Sequence, residues 1–213
     1  MRSGWWRGAS KIKGLSEQQL KEYLEEHYHY EIAMLAFSFQ QLLENQRPPD
    51  QNKNNMAIEC FLLHARNLYE FYYHSPNKDY SRATNFILDW DKYRPAKTTA
   101  IKEQENRINL ELSHLTYKRI AGSTPEKQWN YGNLYNDYLI ITKTFLEHLP
   151  KQYIGGKLAR LKADLSKEAG RKDPAGNTIA DLPTGTEINT ITPSRVKIST
   201  ASLSLGETIS TFE

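Results

Sequence analysis

Apolar residues recur at steps of three and four through most of the chain up to residue 169, the spacing that gathers them on one face of a helix. The segment 55–73, NMAIECFLLHARNLYEFYY, is apolar on more than one side. A helix that is apolar nearly all round belongs in the middle of a fold, so we expect the other helices to pack around this one. The sequence therefore predicts an all-α protein, an up-and-down helical bundle of five to six helices.

Capping residues and prolines predict where the helices begin and end. Ser16 and Gln19 form a capping-box pattern ahead of the first helix, and residues 52–55 offer several N-caps for the second. Thr124 and Pro125 are a typical helix start, whereas Pro95 and Pro150 are typical stops. The predicted helices are 17–44, 55–73, 80–93, 98–121 and 124–149, with a shorter one beginning after Gly155 and Gly156.

Composition changes at both ends of the chain. Residues 1–15 contain four Lys and Arg, a pair of tryptophans and no acid, which predicts a basic N-terminal arm. After residue 170 Ser, Thr, Gly and Pro dominate and apolar residues are sparse, a composition that cannot bury enough surface to fold alone. We therefore divide the chain into an arm (1–15), a helical bundle domain (16–169) and a flexible or loosely attached C-terminal tail (170–213).

Charge and cysteine content restrict the function only loosely. The net charge of +3 is too small to indicate a nucleic-acid partner from the total alone. The single cysteine excludes an intramolecular disulfide, and the chain has no apolar run of about 18 residues, so we expect no membrane span and a cytoplasmic location. Locally, basic residues gather near two helix ends and are candidates for binding a nucleic acid or a partner protein, although a solvated helix face is the alternative: Lys118, Arg119, Lys157, Arg160 and Lys162.

Polar residues interrupt the apolar faces of two predicted helices. The segment 55–73 carries His64, Arg66 and Asn67, which form one candidate polar cluster. Burying a guanidinium without a partner costs several kcal/mol, so Arg66 must be paired, lie at the rim, or face a cleft or a subunit interface. Its nearest local partner is Glu70, one helical turn further on.

The second polar group lies in the predicted helix 98–121, in the sequence RINLELSH. Seven positions along an α-helix return a side chain to nearly the same face, about 20° short of two turns, so Arg107, Glu111 and His114 share one strip. A histidine with a pKa near its ordinary value of about 6.5 can move protons, and an arginine can neutralise a phosphate. These residues, with Asn109 in support, are the candidate catalytic group of a metal-free phosphodiester site.

This motif, an arginine and a histidine separated by six residues late in a long helix, resembles the HEPN superfamily. The phrases IECFLLHARNLYEFYY and RINLELSHLTYKR also resemble a group of uncharacterised bacterial helical proteins, over about residues 17–149. The resemblance implies a homodimer that cleaves RNA without a metal or other cofactor, in a bacterial defence or toxin setting. His114 would transfer protons and Arg107 would contact the phosphate. One departure is Ile108, which stands where the family usually has a polar residue.

Three alternatives remain open from the sequence. The segment from Arg66 and Asn67 to His74 is a second, longer-spaced version of the motif. A non-catalytic module would instead use its polar residues to join helices, would dimerise, and would recruit a protein partner through the C-terminal tail. A third interpretation is a small-ligand pocket lined by tyrosines, among them Tyr69, Tyr72, Tyr73 and Tyr117.

Overall fold

A long helix that is covered on several sides organises the fold, as predicted. In the computed structural model it spans Gln51–Tyr73, and its N-cap is Asp50, whose carboxylate accepts the backbone N–H groups of Asn52 and Lys53. The helix therefore begins about one turn before the predicted start at residue 55, because the acceptor that satisfies its first amides is Asp50. Its side chains pack against the first helical rod, which is formed by residues 17–44, and against the segment after residue 80 and two later helices.

The structure describes residues 15–44, 50–74, 80–108 and 129–168. Within these ranges the protein is an all-α bundle, which confirms the predicted fold class. None of the helices in these ranges is long and apolar enough to cross a membrane. The helices are α1 (Glu17–Tyr23), α2 (His29–Glu44), α3 (Gln51–Tyr73), α4 (Trp90–Tyr93), α5 (Thr99–Arg107), α6 (Tyr131–His148) and α7 (Gly156–Glu168).

The first rod begins with the predicted capping box: the Ser16 side chain accepts from the Gln19 amide, and the Gln19 side chain accepts from the Ser16 amide. The sequence predicts one uninterrupted α-helix over 17–44. The rod contains instead a π-helical turn, Leu24–Tyr28, between α1 and α2. A π turn holds more residues than an α turn, so the two parts of the rod present differently rotated faces to the rest of the bundle.

The π turn holds the last helix in place through Glu25. The Glu25 carboxylate accepts the backbone N–H groups of Gly155, Lys157 and Leu158 at 2.8–3.0 Å. These amides have no partner within α7 because they lie at its start, where negative charge also complements the helix dipole. The predicted start of this helix near Gly155 and Gly156 is confirmed. Its cap is Glu25, which lies about 130 residues earlier in the sequence.

A chain of hydroxyl groups crosses the aromatic core. The Tyr72 hydroxyl lies 2.7 Å from that of Tyr28 and 2.9 Å from that of Thr142, and all three residues are buried. The Trp90 indole N–H donates to the Tyr72 carbonyl at 2.8 Å. The π turn, α3, α4 and α6 are therefore joined through one residue, and each of these buried polar groups has a partner.

The predicted helix 80–93 is wrong as a continuous element. The Asn85 side chain accepts the Arg82 amide at the start of a 3₁₀ turn, Ala83–Asn85, which the backbone bonds from Asn85 to Arg82 and from Phe86 to Ala83 close. Asp89 then takes a left-handed conformation, with φ 58°, before the short α4 begins. An asparagine that bonds to nearby backbone competes with helix formation, and a left-handed residue interrupts it. The predicted inward positions Phe86, Ile87 and Trp90 are nonetheless buried.

The two remaining helices agree with the prediction in part. Thr98 caps α5 as predicted, and residues 109–121 of the predicted helix lie outside the described ranges. The predicted helix 124–149 is wrong as one element, because Trp129 and Asn130 are not helical. Asn130 is itself the N-cap of α6, since its side chain accepts the Asn133 amide, and residues 124–128 lie outside the described ranges.

Substitution of Gly155 tests the cap on α7. In Gly155→Ala the new Cβ would lie 2.8 Å from Glu25 Oε1, so the carboxylate has to move away from the amides that it caps. We expect the free energy of unfolding to fall by about 1–2 kcal/mol, the usual cost of losing an N-cap. The measurement is urea unfolding followed by circular dichroism.

The matched control is Gly156→Ala, because a Cβ at Gly156 meets no atom within 4 Å. We expect it to leave the stability unchanged or to raise it slightly, since Ala is the better helix former. Equal stability of the two variants would contradict a structural role for the Glu25 cap.

Candidate functional site

Of the predicted catalytic residues, the structure describes only Arg107. Arg107 is the last residue of α5, whereas Asn109, Glu111 and His114 lie outside the described residues. Residues 1–14 of the basic arm, Lys118, Arg119 and the C-terminal tail also lie outside them. The meeting of Arg107 with His114 therefore stays a prediction.

Arg107 is held against an aromatic surface. Its guanidinium carbon lies 4.1 Å from the centre of the Trp129 ring, and its side chain is half-buried. Its positive charge also reaches Tyr131: burial raises the pKa of the Tyr131 phenol to about 12, and Arg107 opposes that rise. Tyr131 in turn packs edge-on against Phe61 of α3, with ring centres 5.6 Å apart. An arginine stacked on the aromatic surface of the core has a fixed position at the end of α5.

Ile108, which stands where the resembled family usually has a polar residue, is a core residue. Its side chain is only 2% exposed, so the position after Arg107 belongs to the core. Ile101 and Gln104 of α5 are buried as well, and the Tyr138 hydroxyl donates to Gln104 Oε1 at 2.9 Å. A polar residue at 108 would need a buried partner of the same kind, and would not reach a substrate.

The second predicted cluster is brought together around two glutamates. His64 is 5% exposed, and its Nδ1 lies 2.7 Å from Oε2 of Glu31. Asn67 donates to the same oxygen at 3.1 Å. A carboxylate only accepts hydrogen bonds, so His64 Nδ1 carries the hydrogen of this pair. The cluster therefore extends from α3 to α2, across a gap of 33 residues in sequence.

Arg66 contacts the second glutamate. Its Nε lies 3.4 Å from Glu70 Oε1, which confirms the predicted partner one turn away, and its side chain is partly exposed at the rim. The other oxygen of Glu70 lies 3.6 Å from Nη2 of Arg82. One carboxylate therefore stands between two guanidinium groups, and the second of these groups is deep in the protein.

Arg82 is a residue that the sequence reasoning missed. It is only 6% exposed, its guanidinium carbon lies 5.0 Å from the centre of the Tyr80 ring, and Nη1 donates to the Ser81 carbonyl at 3.4 Å. Its Nε is buried without a hydrogen-bond partner among the described residues. Neighbouring sequence carries no sign of this burial, because it depends on how the 3₁₀ segment packs against α3.

A pocket of about 210 Å³ lies between the first helical rod, α3 and the segment 80–82. Burial raises the pKa of the Tyr23 phenol in its wall; Glu31 adds to that rise, whereas Ser81 and Arg82 oppose it. Aromatic rings, two carboxylates, an amide and a guanidinium meet here. The lining residues are Tyr23, Tyr28, Glu31, Asn67, Leu68, Glu70, Phe71, Tyr80, Ser81 and Arg82.

The tyrosines predicted to line a ligand pocket are placed elsewhere. Tyr69, Tyr72 and Tyr73 are buried core residues that do not line this pocket, and Tyr117 lies outside the described ranges. The tyrosine spacing on α3 follows the core face of that helix. Two of the three tyrosines that do line the pocket come from the first rod, which the pattern on α3 could not reveal.

The basic residues of α7 differ in their surroundings. Lys157 and Arg160 are exposed. Lys162 is half-buried, and its Nζ donates to the Leu146 carbonyl near the end of α6 at 2.7 Å. Positive charge at a helix C-terminus complements the helix dipole, so Lys162 joins two helices, whereas Lys157 and Arg160 face solvent.

Two kinds of chemistry follow from this geometry. The Arg107 surface presents a positioned guanidinium, which suits a phosphate. The pocket presents groups of both charges, which suits a small ligand with charges of its own. In the described part of the chain no group of three or more His, Cys, Asp or Glu could hold a metal ion.

Comparison of the chain with protein-family models, with curated proteins and with solved structures finds no match.

The contribution of the hydrogen bonds from His64 and Asn67 to Glu31 can be measured as a change in protein stability. In Glu31→Ala the buried His64 ring and the Asn67 amide lose a shared acceptor, and we expect the free energy of unfolding to fall by about 1–3 kcal/mol. Glu59→Ala is the control: it removes an exposed glutamate from α3 and should change the free energy of unfolding by less than about 0.5 kcal/mol. In a double-mutant cycle with His64→Ala, additive losses would contradict the pairing.

Proposed function

We propose that this protein is a HEPN-like helical protein of the cytoplasm that binds RNA and, as a homodimer, cleaves it without a metal ion. The all-α bundle agrees with the fold that the resemblance implies. The observation that supports the proposal best is the position of Arg107, stacked on Trp129 at the end of α5.

Contact with an aromatic ring restrains where a guanidinium can lie. The guanidinium carbon of Arg107 lies over the Trp129 ring, 4.1 Å from its centre, and a guanidinium carries its N–H donors in a planar fork. A phosphate is recognised through two such parallel N–H groups. Because Trp129 already restricts the side chain, less rotamer freedom is lost when a phosphate binds.

The reaction needs one proton acceptor and one proton donor. In the proposed dimer the two His114 side chains fill these roles across a shared groove. One takes the proton of the RNA 2′-hydroxyl as the 2′-oxygen bonds to the adjacent phosphorus, and the other protonates the departing 5′-oxygen. Arg107 stabilises the extra negative charge on the phosphate oxygens. The products are a 2′,3′-cyclic phosphate and a 5′-hydroxyl.

Cleavage of a mixed-sequence RNA in the presence of EDTA tests this activity. We expect wild type to leave 2′,3′-cyclic phosphate ends, and His114→Ala to lose at least about a hundredfold in rate, the usual worth of a proton-transfer residue. His148→Ala is the matched control, since His148 is exposed at the end of α6. Equal rates for wild type and a folded His114→Ala would reject the proposed role.

Arg107 and Trp129 give a second, graded test. Arg107→Ala should slow cleavage by about 10²–10³-fold, as for removal of one charge-stabilising donor. Arg107→Lys keeps the charge without the planar fork and should recover only part of the rate. Trp129→Phe keeps a ring under the guanidinium, so it should be less impaired than Trp129→Ala. The measurement is the initial rate on one RNA at fixed ionic strength.

A non-catalytic interaction module is the second candidate function. The observation that favours it is that the polar residues of α3 bind partners inside the chain: His64 binds Glu31, and Arg66 binds Glu70. Such pairing is what a structural role requires. If neither wild type nor variant cuts RNA, and light scattering shows a concentration-dependent dimer, this second function replaces the first.

A further inference from the structure

The pocket around Arg82 is independent of the Arg107 surface. Arg107, its ring partner Trp129 and the neighbouring Tyr131 do not line it. Its walls come from the first helical rod, from α3 and from the segment 80–82. A ligand here would therefore not compete directly with RNA at the end of α5.

Arg82 makes one end of the pocket receptive to a negative group. A guanidinium has five N–H donors. Among the described residues, that of Arg82 makes one hydrogen bond, from Nη1 to the Ser81 carbonyl at 3.4 Å. The nearest Glu70 oxygen, at 3.6 Å, lies beyond hydrogen-bond distance, and Nε has no partner among the described residues. A cation that is nine-tenths buried is costly unless its donors are used. A carboxylate of a ligand would use them.

A simple anion, however, does not fit the whole lining. Glu31 and Glu70 contribute two carboxylates to the same small space, and these would repel a phosphate. Glu70 is balanced by Arg66 and Arg82, whereas Glu31 is bound by His64 and Asn67. Two guanidinium groups face Glu70, whereas a histidine and an amide face Glu31, so the Glu31 side is the less positive part of the lining and suits a positive group.

Aromatic side chains also favour a positive group. Tyr23, Tyr28 and Phe71 line the pocket, and the faces of such rings attract ammonium ions. Tyr80 is 56% exposed, so this wall of the pocket lies at the protein surface. The volume of about 210 Å³ is below the roughly 300–1,000 Å³ typical of pockets for drug-sized ligands.

We propose that this pocket binds a small zwitterion, a free α-amino acid, with its carboxylate on Arg82 and its ammonium group on Glu31 beside the tyrosine rings. One ligand of this kind satisfies both ends of the lining and adds no net charge. Nucleotides are excluded by the two carboxylates and by the size of the space.

Calorimetric titration of the full-length protein with the standard amino acids tests this proposal. The tightest binder is then compared with its decarboxylated amine and with its N-acetylated form, each of which lacks one of the two charges. We expect both analogues to bind at least tenfold more weakly. Saturable binding of no amino acid, or equal affinity for the amine or the acetylated form, would overturn the proposal, as would displacement by inorganic phosphate.

Variants locate the binding to this pocket. Arg82→Gln should abolish it, whereas Arg94→Gln should not, although Arg94 also lies 5.0 Å from a tyrosine ring centre, that of Tyr73. If Arg82→Gln does not fold, Tyr80→Ala at the exposed wall is the second test. We expect it to bind the amino acid several-fold more weakly while its melting temperature stays unchanged. Unchanged affinity in a folded pocket variant would overturn the proposal.

The ribonuclease variants separate the two proposals. His114→Ala and Arg107→Ala should bind the amino acid as wild type does. If the wild-type protein binds the amino acid but does not cut RNA, the pocket proposal stands and the ribonuclease proposal fails. If it cuts RNA but binds no amino acid, the ribonuclease proposal stands and the pocket proposal fails.

Discussion

The hydrogen bonds of the Tyr72 hydroxyl to Tyr28 and Thr142 set the register of the bundle. Apolar contacts tolerate a shift of one side chain past another, but a buried hydroxyl that loses its partner costs about 1–3 kcal/mol. The π turn, α3 and α6 therefore meet at one set of positions. Because α3 is fixed in this way, the faces that carry His64 and Glu70 are fixed as well, and the pocket beside them inherits its shape.

The sequence predicts the parts of this fold that depend on local pattern. The apolar spacing of α3, the capping box at Ser16, the Thr98 cap and the start of α7 all follow from neighbouring residues, and the structure confirms them. The broken segment 80–93 and the π turn do not follow. Arg82 and the pairing of Glu31 with His64 depend on contacts between residues far apart in sequence, and a single sequence carries no signal for those distances.

Three glutamates each connect two separate elements of this protein. Glu25 joins the π turn to α7, Glu31 joins α2 to α3, and Glu70 joins α3 to the segment of Arg82. Each of these acids has two or more contacts with donors inside the chain. Such groups fix orientation as well as contributing stability, because moving any one element leaves a partly buried charge without its partners. The walls of the pocket are therefore held on several sides.

The π turn at Leu24–Tyr28 also constrains how this chain can vary in length. A π turn behaves as a one-residue insertion within an α-helix. Deleting one residue there would restore a regular helix, but it would rotate α1 by about 100° relative to α2, since each α-helical residue turns the chain by that angle. Glu25 and Glu31 could then no longer face α7 and α3 together. Related chains should keep this spacing even where the residues between the two acids differ.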